Sequence, residues 1–166
     1  MPTLGILVLV LVSCTTICPE LENLNRIAYQ TAKMIEKNLC LETESIGRTQ
    51  LDEKATTIEI TFLFFSSLTI ETGRDLMLKC IQIANNNFQN NQQSLEVILD
   101  SEFDMNKLAI FLFSDLYAFD ETPSELLSAL SFYKGIIKYK RYNTQTRKLE
   151  TILEETYEEA LQKCQL

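Results

Sequence analysis

The sequence predicts an all-α fold: a four-helix bundle of the up-up-down-down kind, with a long first crossover that contains a short extended segment. Three observations predict it. The 166 residues include four glycines and three prolines, fewer than a sandwich or barrel with many tight turns normally uses. Apolar residues recur at three- and four-residue steps in four stretches of the chain. Roughly 30 residues separate the first two stretches, which is long for a compact domain unless the chain must travel the length of a helix.

Composition sets the outer bounds. With 46% apolar and 23% charged residues the chain reads as an ordinary globular protein of one domain. It has no histidine, which removes Ser-His-Asp and Cys-His catalysis, imidazole metal sites and a histidine pH switch. A formal net charge of -8 makes it a poor general partner for nucleic acid. There is no Gly-rich phosphate loop and no Ser or Cys nucleophile with a base nearby, and paired carboxylates crowd only the C-terminal tail. These features predict a protein that is not an enzyme and uses no cofactor or metal.

Leu4 to Val12 is a continuous apolar run, too short to span a bilayer as a helix. It fits the hydrophobic region of a secretory signal, with Val12 and Cys14 as the small residues before a cut at Thr15, although no Lys or Arg precedes Arg26. Residues 1–14 therefore read as a signal peptide and 15–166 as the mature, extracellular domain, with no membrane insertion. Cys18, Cys40, Cys80 and Cys164 remain after cleavage, an even number that suits an oxidising compartment and allows three pairings. There is no Asn-x-Ser/Thr sequon.

The elements follow in order. Pro19 opens an amphipathic helix to about Leu39, with Leu21, Leu24, Ile27, Ala28, Thr31, Met34 and Ile35 on one side. Residues 41–72 lack that period, and Thr43, Ser45, Gly47, Thr49 and Asp52 read as loop. Thr56 to Phe65 is β-branched and aromatic and reads as a short strand or an extended segment over the core. Arg74 to Leu99 reads as the second helix, with a weak point in its Asn/Gln-rich middle. Met105 to Phe119 reads as the third and most buried helix. Thr122-Pro123-Ser124-Glu125 is a helix start with a capping pattern, and the fourth helix is expected to run from there to the C-terminus, weakened at Gly135 and Asn143-Thr144.

Cys18-Pro19, the stretch ending Cys40-Leu41-Glu42-Thr43-Glu44, Lys54 to Glu59, Leu76-Met77-Leu78-Lys79-Cys80, Met105 to Ala109 and Phe132-Tyr133-Lys134 occur in an order that resembles the interleukin-12 alpha subunit family. The resemblance implies a long-chain helical cytokine. It also implies departures: Thr61 and Lys140 stand near two of the family's cysteines, partners of the Cys80 and Cys40 equivalents, and Glu154 and Glu155 stand where the family uses a pocket-filling arginine. Interleukin-23 alpha and interleukin-6-like cytokines are the neighbouring readings.

Two functions are expected from this. The first is a secreted cytokine or cytokine alpha subunit of the immune response, binding cell-surface receptor chains and pairing with a soluble, interleukin-12 beta-like subunit. Its partner face would be the basic half of the last helix, with Tyr133, Lys134, Tyr139, Arg141, Tyr142 and Arg147 as anchors. In such a bundle Cys18 and Cys164 lie at the same end and form the expected disulfide, Cys80 is a buried thiol, and Cys40 is the candidate for an interchain bond. The alternative is a secreted carrier of a lipid or other apolar ligand, held among Phe62, Phe64, Phe65, Phe111 and Phe113. A pocket of about 300 Å³ or more would favour the carrier.

Overall fold

The first helix, α1, spans Pro19–Leu39 as its periodicity requires. Leu24, Ile27, Ala28, Ala32 and Ile35 are buried on one stripe. Thr31 lies on the same stripe and is satisfied there: its hydroxyl donates to the Ile27 carbonyl at 2.9 Å and accepts from the Asn87 amide at 2.8 Å. Met34, expected on the buried side, is instead exposed. The structure, a computed structural model, describes residues 19–51, 54–99, 103–115 and 126–164.

Beyond α1 the chain departs from a bundle. Two strands, β1 (Glu42–Leu51) and β2 (Lys54–Phe64), form an antiparallel hairpin. Helix α2 (Ile70–Asn90) and the short α3 (Gln92–Leu99) follow. A single 3-10 turn, Met105–Lys107, leads into β3 (Leu108–Ser114). Strands β4 (Ala129–Tyr133), β5 (Ile136–Asn143) and β6 (Lys148–Thr156) then run as a meander, and α4 (Tyr157–Cys164) closes the described chain. The six strands form one mixed sheet in sequential order, antiparallel throughout except for the parallel pair β2–β3.

This overturns the four-helix bundle, and with it the resemblance to the interleukin-12 alpha subunit family, whose fold the chain does not share. The expected third helix is β3, and the expected fourth is three strands and an eight-residue helix. The reason is burial. Ile58, Ile60, Phe62 and Phe64 on β2, Leu108, Ile110 and Leu112 on β3, and Leu130, Phe132, Ile137 and Tyr139 on β4 and β5 alternate onto one face and enter a single core. Leu24, Ile27 and Ile35 of α1, Met77, Ile81 and Phe88 of α2, Leu95 of α3 and Ala160 of α4 complete that core from the helical side. Gly135, read as a weak point in a helix, sits at φ 76° in the β4–β5 turn, where Lys134 is also left-handed at φ 50°. The expected break in the second helix falls at Asn91, between α2 and α3. The Thr122–Glu125 capping pattern lies outside the described residues.

One charged cluster is built into this core. Arg74 in the first turns of α2 donates from Nε to Glu155 Oε1 at 2.6 Å and from Nη2 to Oε2 at 3.3 Å. Tyr139 Oη donates to the same Oε1, and Lys163 Nζ of α4 donates to Oε2 at 2.6 Å. Glu155 and Arg74 are buried, so each needs the other's charge. Burial opposes ionisation of Glu155, but the hydrogen bonds from Arg74, Lys163 and Tyr139 outweigh it and hold its carboxyl below the usual carboxylate range. Burial and the same carboxylate push the Tyr139 hydroxyl up, so it stays a donor. The cluster ties α2, β5, β6 and α4 together. Next to it Gly73 lets α2 lie close to the sheet, since a Cβ there would come within 2.6 Å of a Leu127 methyl.

Two outcomes follow. Glu155→Gln should lower stability by about 3–5 kcal/mol, the range for removing one partner of a buried ion pair. Because the folded-state pKa of Glu155 is depressed, its contribution is present above the unfolded value near 4.3 and is lost as pH falls below that value. Urea unfolding of the parent and the variant should therefore converge in acid. Leu112→Ala, fully buried at the centre of β3, should cost about 2–5 kcal/mol in the same assay.

Candidate functional site

A cleft of about 530 Å³ opens where α1 ends, β2 leaves the sheet and α2 begins. Its first wall is the α1 terminus. The Cys40 N–H donates to the Glu36 carbonyl at 3.0 Å, and Cys40 takes a left-handed backbone at φ 54°, which turns the chain out of the helix. Leu41 then turns inward. The Glu36 carboxylate fixes the corner: it accepts from Lys33 Nζ at 2.6 Å and from the Thr43 N–H at 2.8 Å. The hydrogen bond from Lys33, followed by those from Thr43, holds the Glu36 pKa at about 2.

The second wall is the segment after β2. Its backbone is held at both ends, where the Phe64 carbonyl accepts from Asp115 N–H at 3.0 Å and the Leu68 carbonyl from Leu127 N–H at 2.8 Å. Thr69 caps α2 in a reciprocal box with Thr72. The third wall is a stripe of α2, with Thr72, Asp75, Leu76 and Lys79 at helical spacing. Asp75 and Lys79 pair with each other at 2.6 Å on the rim. The lining is thus apolar at Leu39, Leu41, Phe64, Phe65, Leu68 and Leu76, with Asn38, Ser66 and Thr72 as hydrogen-bonding groups and Cys40 as an exposed thiol.

Phe65 is 54% exposed although it is a large aromatic. A side chain of that size left half in water beside a concave apolar surface marks a place where something else can be covered. The geometry can hold a small apolar body and offer hydrogen bonds to one polar end. Among the described residues no group of three His, Cys, Asp or Glu side chains is placed to hold a metal ion.

The residues singled out in the sequence fall elsewhere. Tyr133 and Lys134 sit at the β4–β5 turn, where Lys134 Nζ lies 5.2 Å above the Tyr133 ring. Arg141 and Tyr142 lie towards the other end of β5, and Arg147 is in the β5–β6 turn at φ 54°. Arg141 and Tyr142 line a second, shallower groove of about 380 Å³ with Asn143, Gln145 and Ile152. Tyr139 is fully buried against Glu155 and presents nothing to a partner. These six residues therefore belong to a strand hairpin and its turns, and they do not make the basic helix face expected of them.

Of the five phenylalanines expected around a ligand, Phe64 and Phe65 line the cleft and Phe62 is in the core. Phe111 and Phe113 alternate onto the opposite face of the sheet. Cys40, Cys80 and Cys164 are all free thiols, and Cys18, the expected partner of Cys164, lies outside the described residues. Leu68 and Thr72 of the cleft carried no signal in the sequence reading, because they become neighbours of Leu39 only through the fold. No protein family, no curated protein and no solved structure matches this chain.

Reduced, folded protein treated with iodoacetamide should be modified at Cys40 and Cys164 but not at Cys80, which is fully buried and whose thiol burial pushes well up. Peptide mapping checks this. Rapid labelling of Cys80 under native conditions would mean that α2 does not pack as described.

Proposed function

We propose that this protein is an exported binding protein that holds a small apolar or amphipathic molecule in the cleft between the end of α1 and the start of α2. One observation carries the reading: a concavity of about 530 Å³, lined mainly by leucine and phenylalanine, whose walls are fixed by caps and backbone hydrogen bonds. Ligand sites are typically clefts of about 300–1,000 Å³ with an apolar lining and a few placed polar groups. Here Asn38, Ser66 and Thr72 supply the polar groups, and the Asp75–Lys79 pair supplies a rim that is neutral as a unit. An apolar body would cover Phe65 and Leu76, both of which now meet water.

Export rests on the Leu4–Val12 run, which lies outside the described residues. No helix among the described residues is long and apolar enough to cross a membrane. The helical-cytokine reading depended on the bundle and is not carried forward.

Titration with a fluorescent fatty acid tests the binding reading. The parent should bind saturably, and Leu76→Arg should weaken binding at least tenfold, about 1.4 kcal/mol, in protein that far-UV circular dichroism shows to be folded, since Leu76 is only partly buried at the edge of the core. Unchanged binding by Leu76→Arg, or no binding by the folded parent, would overturn the assignment of the cleft. For export, secreted product should begin near Thr15 in N-terminal sequencing, and product still beginning at Met1 would contradict it.

A further inference from the structure

The cleft between α1 and α2 has polar groups as well as an apolar lining, and these limit the head group a ligand there can carry. A carboxylate or phosphate is recognised by a free Lys or Arg, or by the open N–H groups of a helix N-terminus. Both are present at this cleft, and both are already taken. Lys79 is the one basic residue among those that line it, and its Nζ lies 2.6 Å from Asp75 Oδ2. At the start of α2 the Thr69 hydroxyl accepts from the Thr72 N–H at 3.4 Å, and the Thr69 carbonyl accepts from the Gly73 N–H at 2.9 Å. The Glu71 carboxylate accepts from the Thr69 hydroxyl at 2.9 Å. Its own backbone N–H, followed by that hydroxyl, holds the Glu71 carboxyl below the usual carboxylate range. A carboxylate of the chain itself thus occupies the anion position of this helix.

The rest of the chain supplies no cation in their place. All 15 Lys and Arg fall within the described residues. Lys33 is held by Glu36 at 2.6 Å and Arg74 by Glu155. Lys37, in the last turn of α1, is exposed and is not among the lining residues. Lys54 opens β2, about 30 Å along the strand from Phe64. The chain between Asp115 and Leu127 begins and ends beside the cleft, since the N–H groups of those two residues bond the Phe64 and Leu68 carbonyls. Residues 116–125 of that connection contain no Lys or Arg but carry Asp120, Glu121 and Glu125. With a net charge of -8 on the whole chain, these surroundings oppose a negatively charged ligand.

The α1 end offers the opposite chemistry. A helix C-terminus is the negative end of the helix dipole, and its last carbonyls have no intrahelical donor. Here the Cys40 N–H satisfies the Glu36 carbonyl. Among the described residues no backbone donor reaches the carbonyls of Lys37, Asn38 and Leu39, and the last two residues line the cleft. The Asn38 amide donates to the Met34 carbonyl at 2.7 Å, which leaves its own oxygen as a further acceptor. These acceptors suit a head group that donates a hydrogen bond. We infer that the cleft selects amphiphiles whose polar end donates a hydrogen bond and carries no negative charge, a long-chain alcohol or amine in preference to the corresponding carboxylate; this preference rests on the cleft being the ligand site proposed above.

Competition at neutral pH tests the preference. The fluorescent fatty acid bound to the protein is displaced by an unlabelled alcohol, amine or carboxylate of equal chain length, each below its micellar concentration. The alcohol, the amine or both should displace the probe at a concentration at least tenfold lower than the carboxylate requires. The rank of the amine against the alcohol then tells whether a cationic or a neutral head is favoured. Asp75→Asn, at an exposed position, removes the group that occupies Lys79 and should cut the discrimination against the carboxylate at least threefold. A carboxylate that competes as well as the alcohol and the amine would overturn the preference and leave the cleft standing as a ligand site. Discrimination unchanged in Asp75→Asn would do the same. No displacement by any of the three would overturn the cleft assignment and the preference together.

Discussion

The parallel pairing of β2 with β3 is the constraint from which the rest of the architecture follows. Antiparallel neighbours can be joined by a turn, but parallel neighbours need a crossover long enough to return the chain to the same end of the sheet. Here that crossover contains α2 and α3, and it has to lie on one face of the sheet. Once it does, the residues of β2 and β3 that face it become the centre of the core, with Ile60, Phe62, Ile110 and Leu112 fully buried. Helix α1, which precedes the hairpin, packs beside α2 and is tied to it through Thr31 and Asn87. The cleft is a by-product of the same geometry. It sits where β2 leaves the sheet to enter the crossover, so the end of α1 and the first turns of α2 flank the exit.

The buried carboxylate of Glu155 performs a different task, on the same face but towards the β6 edge of the sheet. A meander of three strands has no need of a helix after it, and α4 is only eight residues long, too short to be stable by its own propensity. Its attachment depends on Ala160 in the core, on Tyr157, whose ring meets Phe132 edge-on at 6.4 Å, and on Lys163 reaching Glu155. Arg74 reaches the same carboxylate from α2. One charged group therefore organises the crossover and the C-terminus together, which makes it a register pin as much as a source of stability.

Parts of this fold were legible in the sequence and parts were not, for physical reasons. Helix α1 was legible because its apolar stripe is clean, and the β2 strand because it is β-branched and aromatic. The break at Asn91 was legible from the poor helix propensity of asparagine. Strand β3 was not legible, since apolar residues at 105, 108, 109, 112, 113 and 116 satisfy a helical period while 108, 110 and 112 satisfy a strand period. A segment apolar on both faces leaves periodicity undecided. Strand β5 did carry a period of two, with Ile137 and Tyr139 inward and Lys138 and Lys140 outward, but the capping pattern at Thr122–Glu125 favoured a helix. Strand β1 is polar, lies at the sheet edge and offers Ile46 as its main apolar residue, so it read as loop. Of the cleft, Leu39, Cys40, Leu41, Phe64, Phe65 and Leu76 were named from the sequence, though not as one site. Leu68 and Thr72 join them only once the crossover direction is known.

The direction of that crossover is open to direct measurement. In a parallel β2–β3 pair, Ile58, Ile60 and Phe62 stand beside Leu108, Ile110 and Leu112 in ascending order. Nuclear Overhauser contacts between backbone amides and α-protons of the two strands should follow that ascending register, with slowly exchanging amides along both strands. Contacts in descending order, or the sequential amide-to-amide pattern of a helix through 108–114, would contradict the sheet on which the core and the cleft both depend.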